Sequence, residues 1–371
     1  MKKIKVLYVV STLERSGPTD QLYNTVYNIK EKTECRILTL SQEKRNSAIQ
    51  DFVTNGIIVD CLDLRRSNTF IKGLYKIKTY INKYQPDVIH TSGIRADVIV
   101  GNSVYRRMQC VTIHNKASED YPSLYGNILG RIMAYIQIRT FTKVKAPICC
   151  AKELKRYYES KTKKNFYVIQ NGIHINKFIP REYKDSIIRR REVLGLNKDA
   201  YIFISYGALI TRKDPICILE AFLQANLENT QLVMIGKGEL WKRCYSYSNK
   251  NIKVIPYVED IRDYIEVADT FVTASHSEGF PSAVLEAGCE GLGIICSDIP
   301  QHREIFEKYE DIYEDYFPVG DVKKLTEKMK TIRRRERVNN NMEKYFRKTY
   351  TDKRMAEEYL TIYEHIREKD I

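Results

Sequence analysis

Short apolar runs alternate with helix-length amphipathic stretches along this chain, and the whole alternation is written twice. That pattern leaves few options beyond parallel sheets wrapped by helices. In the first half Ile4–Val10, Cys35–Leu40, Asp87–His90 and Cys110–His114 read as strands, each separated from the next by a helix-length stretch. Phe70 to Lys83 carries the helical spacing, with Ile71, Leu74, Ile77 and Ile81 on one face and a stop before Gln85-Pro86. The layout restarts near residue 200. Tyr201–Tyr206 reads as a strand, Gly207 to Asp214 as a loop, and Pro215–Asn226 as a helix with proline in its first turn. Strands Gln231–Ile235, Asn251–Ile255 and Thr270–Ala274 follow, with a short helix from Asp260 to Val267 and another around Ser282–Cys289. The charged stretch Arg181 to Arg191 reads as a linker leading into a helix. At 371 residues there is room for two domains of ordinary size. The expected fold class is α/β, two facing Rossmann-like domains, residues 1–180 and 181–349, with the ligand in a deep cleft between them at the carboxyl ends of the strands.

Charge and cysteine usage narrow the functional classes. The net charge is +14, which fits nucleic acid, an anionic membrane surface or phosphorylated substrates as partners. Part of the excess lies on helix faces such as Lys72, Lys76, Lys78 and Lys83, and in Arg333-Arg334-Arg335, where it reads as solvated surface. A nucleic-acid role is disfavoured, because the basic residues are dispersed and no recognition module occurs. The nine cysteines, Cys149-Cys150 and Cys289 among them, lack metal spacing and read as reduced, mostly buried thiols. The apolar start Ile4 to Val10 is interrupted by Lys5 and leads into Leu13-Glu14-Arg15, so it reads as a buried strand rather than a signal peptide. No run of about 18 apolar residues occurs. A cytoplasmic location is expected, with a peripheral position on the inner face of the cell membrane as an option.

The string Ser277-Glu278-Gly279-Phe280-Pro281-Ser282-Ala283-Val284-Leu285-Glu286-Ala287 carries the most chemistry. It follows an apolar strand and opens a helix, and its two carboxylates, eight positions apart, straddle a Gly-Phe-Pro turn. Backbone N–H groups and the helix dipole at such a turn favour a pyrophosphate. The first carboxylate can accept hydrogen bonds from sugar hydroxyls and the second from a ribose. The bland reading is an ordinary strand-loop-helix with surface glutamates.

In these residues the chain resembles the retaining glycosyltransferases of the GT-B fold, in particular the family-four (glycosyl transferases group 1) type. The likeness runs along nearly the whole chain. Ser16-Gly17-Pro18-Thr19 looks like that family's first glycine loop, and Asp87-Val88-Ile89-His90 and Thr112-Ile113-His114 like its histidine-ended strands. Ile169-Gln170-Asn171-Gly172-Ile173 and Phe178 look like its crossover. Tyr206-Gly207-Ala208-Leu209 through Arg212-Lys213 looks like its phosphate-binding segment, Ile235-Gly236-Lys237-Gly238 like its next loop, and the tail from Tyr345 like its closing helices. The resemblance implies a helix of about 350–371 that returns to the first domain.

It also implies roles. Lys213 and Arg212 would neutralise the donor diphosphate. Glu278 would bind donor-sugar hydroxyls, with the amides of Gly279 and Phe280 and the turn at Pro281 beside it. Val284 and Leu285 would offer amides to the phosphate, and Glu286 would hold the ribose. Gly17 and Gly236 would admit close backbone approach, and His114 would reach the acceptor and the reacting sugar. The implied catalytic set is thus His114, Glu278 and Lys213, with no metal and no cofactor. The donor is a nucleotide-sugar, a UDP-sugar favoured, and the reaction is hexosyl transfer with retention. The family's usual arginine after the glycine is replaced by Ala208, which keeps open a degraded scaffold or accessory protein. A nucleotide-sugar epimerase and a phosphorylase are the other rivals. Tyr121 to Lys145 reads as one basic, aromatic helix that either packs or lies on an anionic membrane. With the family, this suggests a glycan or lipid-linked acceptor in cell-surface polysaccharide biosynthesis.

Overall fold

The computed structural model describes residues 3–45, 47–65, 69–178, 184–311, 313–332 and 340–368. Arg333-Arg334-Arg335 and the start of the Arg181 to Arg191 stretch lie outside them, as do the side chains of Ile71 and Lys72. The chain divides into two compact units, Met1–Ile173 with Asp352–Ile371, and His174–Thr351.

Among the described residues the first unit holds seven strands: β1 (Ile4–Val10), β2 (Thr33–Thr39), β3 (Ile58–Cys61), β4 (Val88–Ser92), β5 (Gln109–Ile113), β6 (Ala146–Cys149) and β7 (Tyr167–Val168). They form one parallel sheet in the order β3-β2-β1-β4-β5-β6-β7. The chain winds outward from β1 to β3, then returns to lay β4 beside β1, so the loops after β1 and β4 diverge at the carboxyl edge. Leu7 and Val9 face one layer of helices, whereas Val6, Tyr8 and Val10 face the other.

The helix Asp352–Glu368 packs on this sheet. Met355, Tyr359, Tyr363 and Ile366 recur at helical spacing and enter the core built on β1. Its amide at Asp352 donates to Ile173 O at 2.9 Å, so the first unit's two chain segments meet where each ends. His90, at the middle of β4, is caged here. Its Nδ1 lies 2.6 Å from the Tyr363 hydroxyl and its Nε2 2.7 Å from Thr112 Oγ1, which itself lies 2.9 Å from the Tyr359 hydroxyl. Burial, with His114 nearby, holds His90 down to about 3, so it is a neutral core residue.

The second unit holds β8 (Tyr201–Ala208), β9 (Thr230–Lys237), β10 (Ile252–Ile255), β11 (Thr270–Thr273), β12 (Gly293–Ser297) and β13 (Tyr316–Phe317). Its parallel sheet runs β10-β9-β8-β11-β12-β13, again reversing beside its first strand. The loops after β8 and β11 therefore diverge at this sheet's carboxyl edge.

Several expectations need correction. Leu74 is exposed while Ile77 and Ile81 are buried, so the buried stripe of the helix Thr69–Tyr84 continues through Tyr84 instead. The stretch Tyr121 to Lys145 is two helices, Ala117–Tyr125 and Asn127–Phe141, broken at Gly126 with φ 81°. The stretch expected as a linker leading into a helix is helical from Lys184, and Arg191 ties that helix to the second unit's core. On the helix Lys184–Val193, it pairs with Asp269 at 2.9 Å and donates to the carbonyls of Val267 and Ala200. Of the nine thiols, seven are buried and none is in a disulfide.

Candidate functional site

The site of the second unit grows from the two loops that diverge at its sheet. After β8 the chain makes a 3-10 turn, Thr211–Lys213, and Asp214 then caps the helix Pro215–Ala225 from a left-handed conformation, its Oδ1 accepting from Cys217 N at 3.2 Å. After β11 comes Ala274 to Pro281, then the helix Ser282–Cys289. Backbone and side chains join the two loops. His276 N donates to Arg212 O at 2.8 Å, Arg212 Nη1 donates to Ser277 O at 2.5 Å, and His276 Nε2 lies 3.0 Å from Asp214 Oδ2.

Glu278 sits at the centre of that junction. It is buried, its Oε1 forms an ion pair with Lys213 Nζ, and Arg212 Nη1 lies 3.5 Å from its Oε2. Ser275 Oγ donates to Oε1 at 2.6 Å. Burial alone would raise this carboxyl, but the Lys213 charge, then that of Arg212, reverses the effect and holds it down to about 2. The carboxylate is therefore ionised at any working pH. Arg212 and Lys213 thus stand around Glu278 at the carboxyl edge of the sheet, close to a helix start that no side chain caps among the described residues.

The rest of the glutamate string divides by role. Glu286 is half-buried, and the Tyr206 hydroxyl on β8 lies 2.9 Å from both its Oε2 and the Ala283 carbonyl. Phe280 is buried with its ring 5.6 Å from that of Tyr350, so its side chain belongs to the core. Gly279 and Pro281 are buried turn residues. Leu285 is buried on the helix, and the amide of Val284, expected to face a phosphate, donates to Pro281 O at 3.1 Å. Gly236 has a packing reason of its own. A Cβ there would stand 1.9 Å from Gly207 O, so the ends of β8 and β9 can touch only through glycine. Ala208 is exposed at the end of β8.

Gly17 and His114 belong to the first unit. Gly17 opens the helix Gly17–Ile29, capped by Ser16, whose Oγ accepts from Thr19 N; a Cβ on Gly17 would meet nothing within 4 Å. His114 follows β5, half-buried, and burial lowers it to about 4. Among the described residues its ring has no hydrogen-bond partner.

Sequence reasoning missed three site residues. Ser275 and Tyr206 orient the two glutamates, but serine and tyrosine are too common for position alone to mark them. The third, His302 on the helix Pro300–Phe306, is fully buried. Its Nδ1 lies 2.7 Å from Ser297 O. A carbonyl only accepts, so Nδ1 carries the proton and Nε2 is a bare acceptor, without a partner among the described residues. Burial holds this ring down to about 4, with the Glu278 charge pulling the other way.

Two doubly wound parallel sheets, each with divergent loops at its carboxyl edge, define a protein of the GT-B class. The solved sucrose-phosphate synthase from Thermosynechococcus elongatus aligns over 98% of this chain and 99% of its own, with a TM-score of 0.80 at 15% identity. Residues 28–177 match the model for Glycosyltransferase Family 4, and residues 186–349 match that for Glycosyl transferases group 1. The chain belongs to the group 1 glycosyltransferases of the GT-B fold. It is 23% identical over 380 aligned positions to the O-antigen biosynthesis glycosyltransferase WclY of Escherichia coli, covering 98% of this chain and 99% of that one. It is also 27% identical over 248 positions to an Escherichia coli UDP-Gal:alpha-D-GlcNAc-diphosphoundecaprenol alpha-1,3-galactosyltransferase, covering 62% of each.

Proposed function

We propose that this glycosyltransferase moves a hexosyl group from a UDP-sugar to a glycan or lipid-linked acceptor in cell-surface polysaccharide biosynthesis, with retention of configuration and without a metal. The observation that carries this reading is the Arg212–Lys213–Glu278 cluster at the reversal point of the second sheet. The two cations suit a diphosphate, and the ionised carboxylate suits sugar hydroxyls. Polysaccharide assembly, the uridine nucleotide and the lipid-linked acceptor are supported by the names of the two Escherichia coli relatives.

In the proposed reaction the acceptor oxygen bonds to the anomeric carbon as the bond from that carbon to the diphosphate breaks. The electron pair leaves with the nucleotide diphosphate, whose departing oxygen takes the acceptor's proton. Lys213 and Arg212 stabilise the charge that develops there, an effect worth about 3 kcal/mol per well-placed donor. Glu286 holds the ribose. His114, neutral above pH 4, offers a hydrogen bond to the acceptor rather than a proton charge. A lipid-linked acceptor would bring the enzyme to the inner face of the cell membrane.

Product analysis by NMR tests the chemistry. Incubation with UDP-sugars and a synthetic lipid-diphosphate acceptor should give an α-linked product from an α-linked donor, at an unchanged rate in EDTA. An inverted product, or loss of activity in EDTA, would overturn retention or metal independence respectively. Ala208 favours a second reading, an inactive scaffold, and that reading predicts no turnover with any donor.

A further inference from the structure

The helix Asn127–Phe141 is inside out for a helix facing water. Its buried side is Gly130, Ala134, Gln137 and Thr140, closed by Phe141, whereas Ile128, Leu129, Ile132, Tyr135 and Ile136 are exposed, Ile128 to 81%. These exposed residues recur at helical spacing and so share one face. Leu124 and Tyr125, at the end of the helix Ala117–Tyr125, are exposed as well. Large apolar residues scattered singly on a surface need no explanation, but seven within thirteen positions form a patch.

The patch is rigidly built. A Cβ on Gly130 would stand 2.4 Å from Tyr121 O, so the two helices touch backbone to backbone. The Tyr121 hydroxyl donates to Gln137 Oε1 at 2.6 Å, and Gln137 Nε2 donates to the buried Asp97 at 2.7 Å. The polar groups of the hairpin are thus spent inward, and its apolar groups are left outward.

Charge says what covers it. No acidic residue occurs from Tyr121 to Lys152. Arg131 and Arg139 are exposed on the apolar face, and Lys143 and Lys145 follow the helix. The 3-10 helix Val104–Met108 brings Arg106 and Arg107 alongside, since Lys145 N donates to Arg106 O at 3.1 Å. Among the described residues none of these six cations is in an ion pair. An apolar helix face with unpaired arginines on it and no acid is complementary to an anionic lipid surface, which takes apolar side chains and basic heads together.

We propose that this helical hairpin docks the enzyme on an anionic bilayer, with Asn127–Phe141 lying in the plane of the interface. The proposal deepens the acceptor half of the reading above but does not need the donor site to be active.

Flotation of the full chain with phosphatidylcholine vesicles, with and without phosphatidylglycerol, tests it at low and high salt. The variants are Ile128→Asp with Ile132→Asp, Arg131→Glu with Arg139→Glu, and Val193→Asp as a control exposed in the second unit. The expected result is salt-sensitive binding to phosphatidylglycerol vesicles that falls about tenfold or more in both hairpin variants and is unchanged in the control. Unchanged melting temperatures and light scattering of a monomer accompany that result. Absence of vesicle binding, or binding indifferent to both hairpin variants, would overturn it. So would a solution dimer dissociated by the aspartate pair, which would give the face to a second copy of the chain. UDP-sugar binding of the same variants keeps failure of this surface distinguishable from failure of the donor site.

Discussion

Glu278 shows how a single side chain is decided by its neighbours. A carboxylate buried alone would be protonated, and beside Lys213 and Arg212 it is held near 2 instead. Because the folded-state value lies below the unfolded one, its contribution to stability is present above about pH 4.5 and is lost as pH falls towards 2. Neither Glu278 nor His114, held to about 4, titrates between about pH 5 and 8. Any limb of the kcat/KM profile in that range should therefore survive in Glu278→Gln and His114→Gln, and its loss in either would assign it there. Lys213→Ala should lower kcat by about 100-fold or more while the protein still folds. Gly236→Ala, by contrast, should lower the melting temperature, since its Cβ meets Gly207 O. The glutamate string was legible in the sequence because two carboxylates around a Gly-Phe-Pro turn have a joint chemical reason. His302 was not, because only the fold reveals that Ser297 O accepts from its Nδ1–H and that its second nitrogen has no partner among the described residues.

At the scale of elements, the apolar runs marked most inner strands of both sheets and the edge strand Ile252–Ile255, but not the inner strand Gly293–Ser297, and the edge strands Ile58–Cys61, Tyr167–Val168 and Tyr316–Phe317 have too few residues to show a period. The hairpin was harder to read. From sequence alone Tyr121 to Lys145 has one continuous apolar period, and only the conformation of Gly126 and the close contact at Gly130 divide it. Gly130→Leu should separate the helices and lower the stability of the first unit while UDP-sugar binding persists. Asp97 anchors this region and is pushed up to about 7 by burial, against the donors Thr91 and Gln137. The unfolded chain releases that proton near pH 4 and the folded one near 7. Stability should therefore fall as pH rises across that range, by a few kcal/mol in total. Thermal denaturation at a series of pH values should show this slope in the wild type and a flatter one in Asp97→Asn.

At the scale of the molecule, each half repeats one plan, a parallel sheet that reverses beside its first strand. Composition could place two domains, while the return of the last helix to the first of them was implied only by the family resemblance, and the structure joins Asp352–Ile371 to that unit. That follows from Met355, Tyr359 and Tyr363 entering the core of β1, and from His90 meeting Tyr363. Tyr363→Phe removes the only oxygen that faces His90 Nδ1 at hydrogen-bond distance among the described residues, and should destabilise the first unit by about 1–3 kcal/mol in urea denaturation. The net charge of +14, dispersed in sequence, acquires a direction where the fold gathers six cations that are in no ion pair among the described residues near an apolar face.

The central claim is that the Arg212–Lys213–Glu278 cluster binds a nucleotide-sugar. Its most direct test is the thermal stability of the purified chain with UDP-, GDP-, ADP- and CDP-sugars, with and without EDTA, beside Lys213→Ala and Glu286→Ala. A ligand at about 100 times its Kd adds roughly 2.7 kcal/mol. The account predicts a shift of that size with UDP-sugars, unchanged by EDTA and reduced in both variants. No shift with any nucleotide-sugar, or a shift indifferent to Lys213 and Glu286, would contradict it.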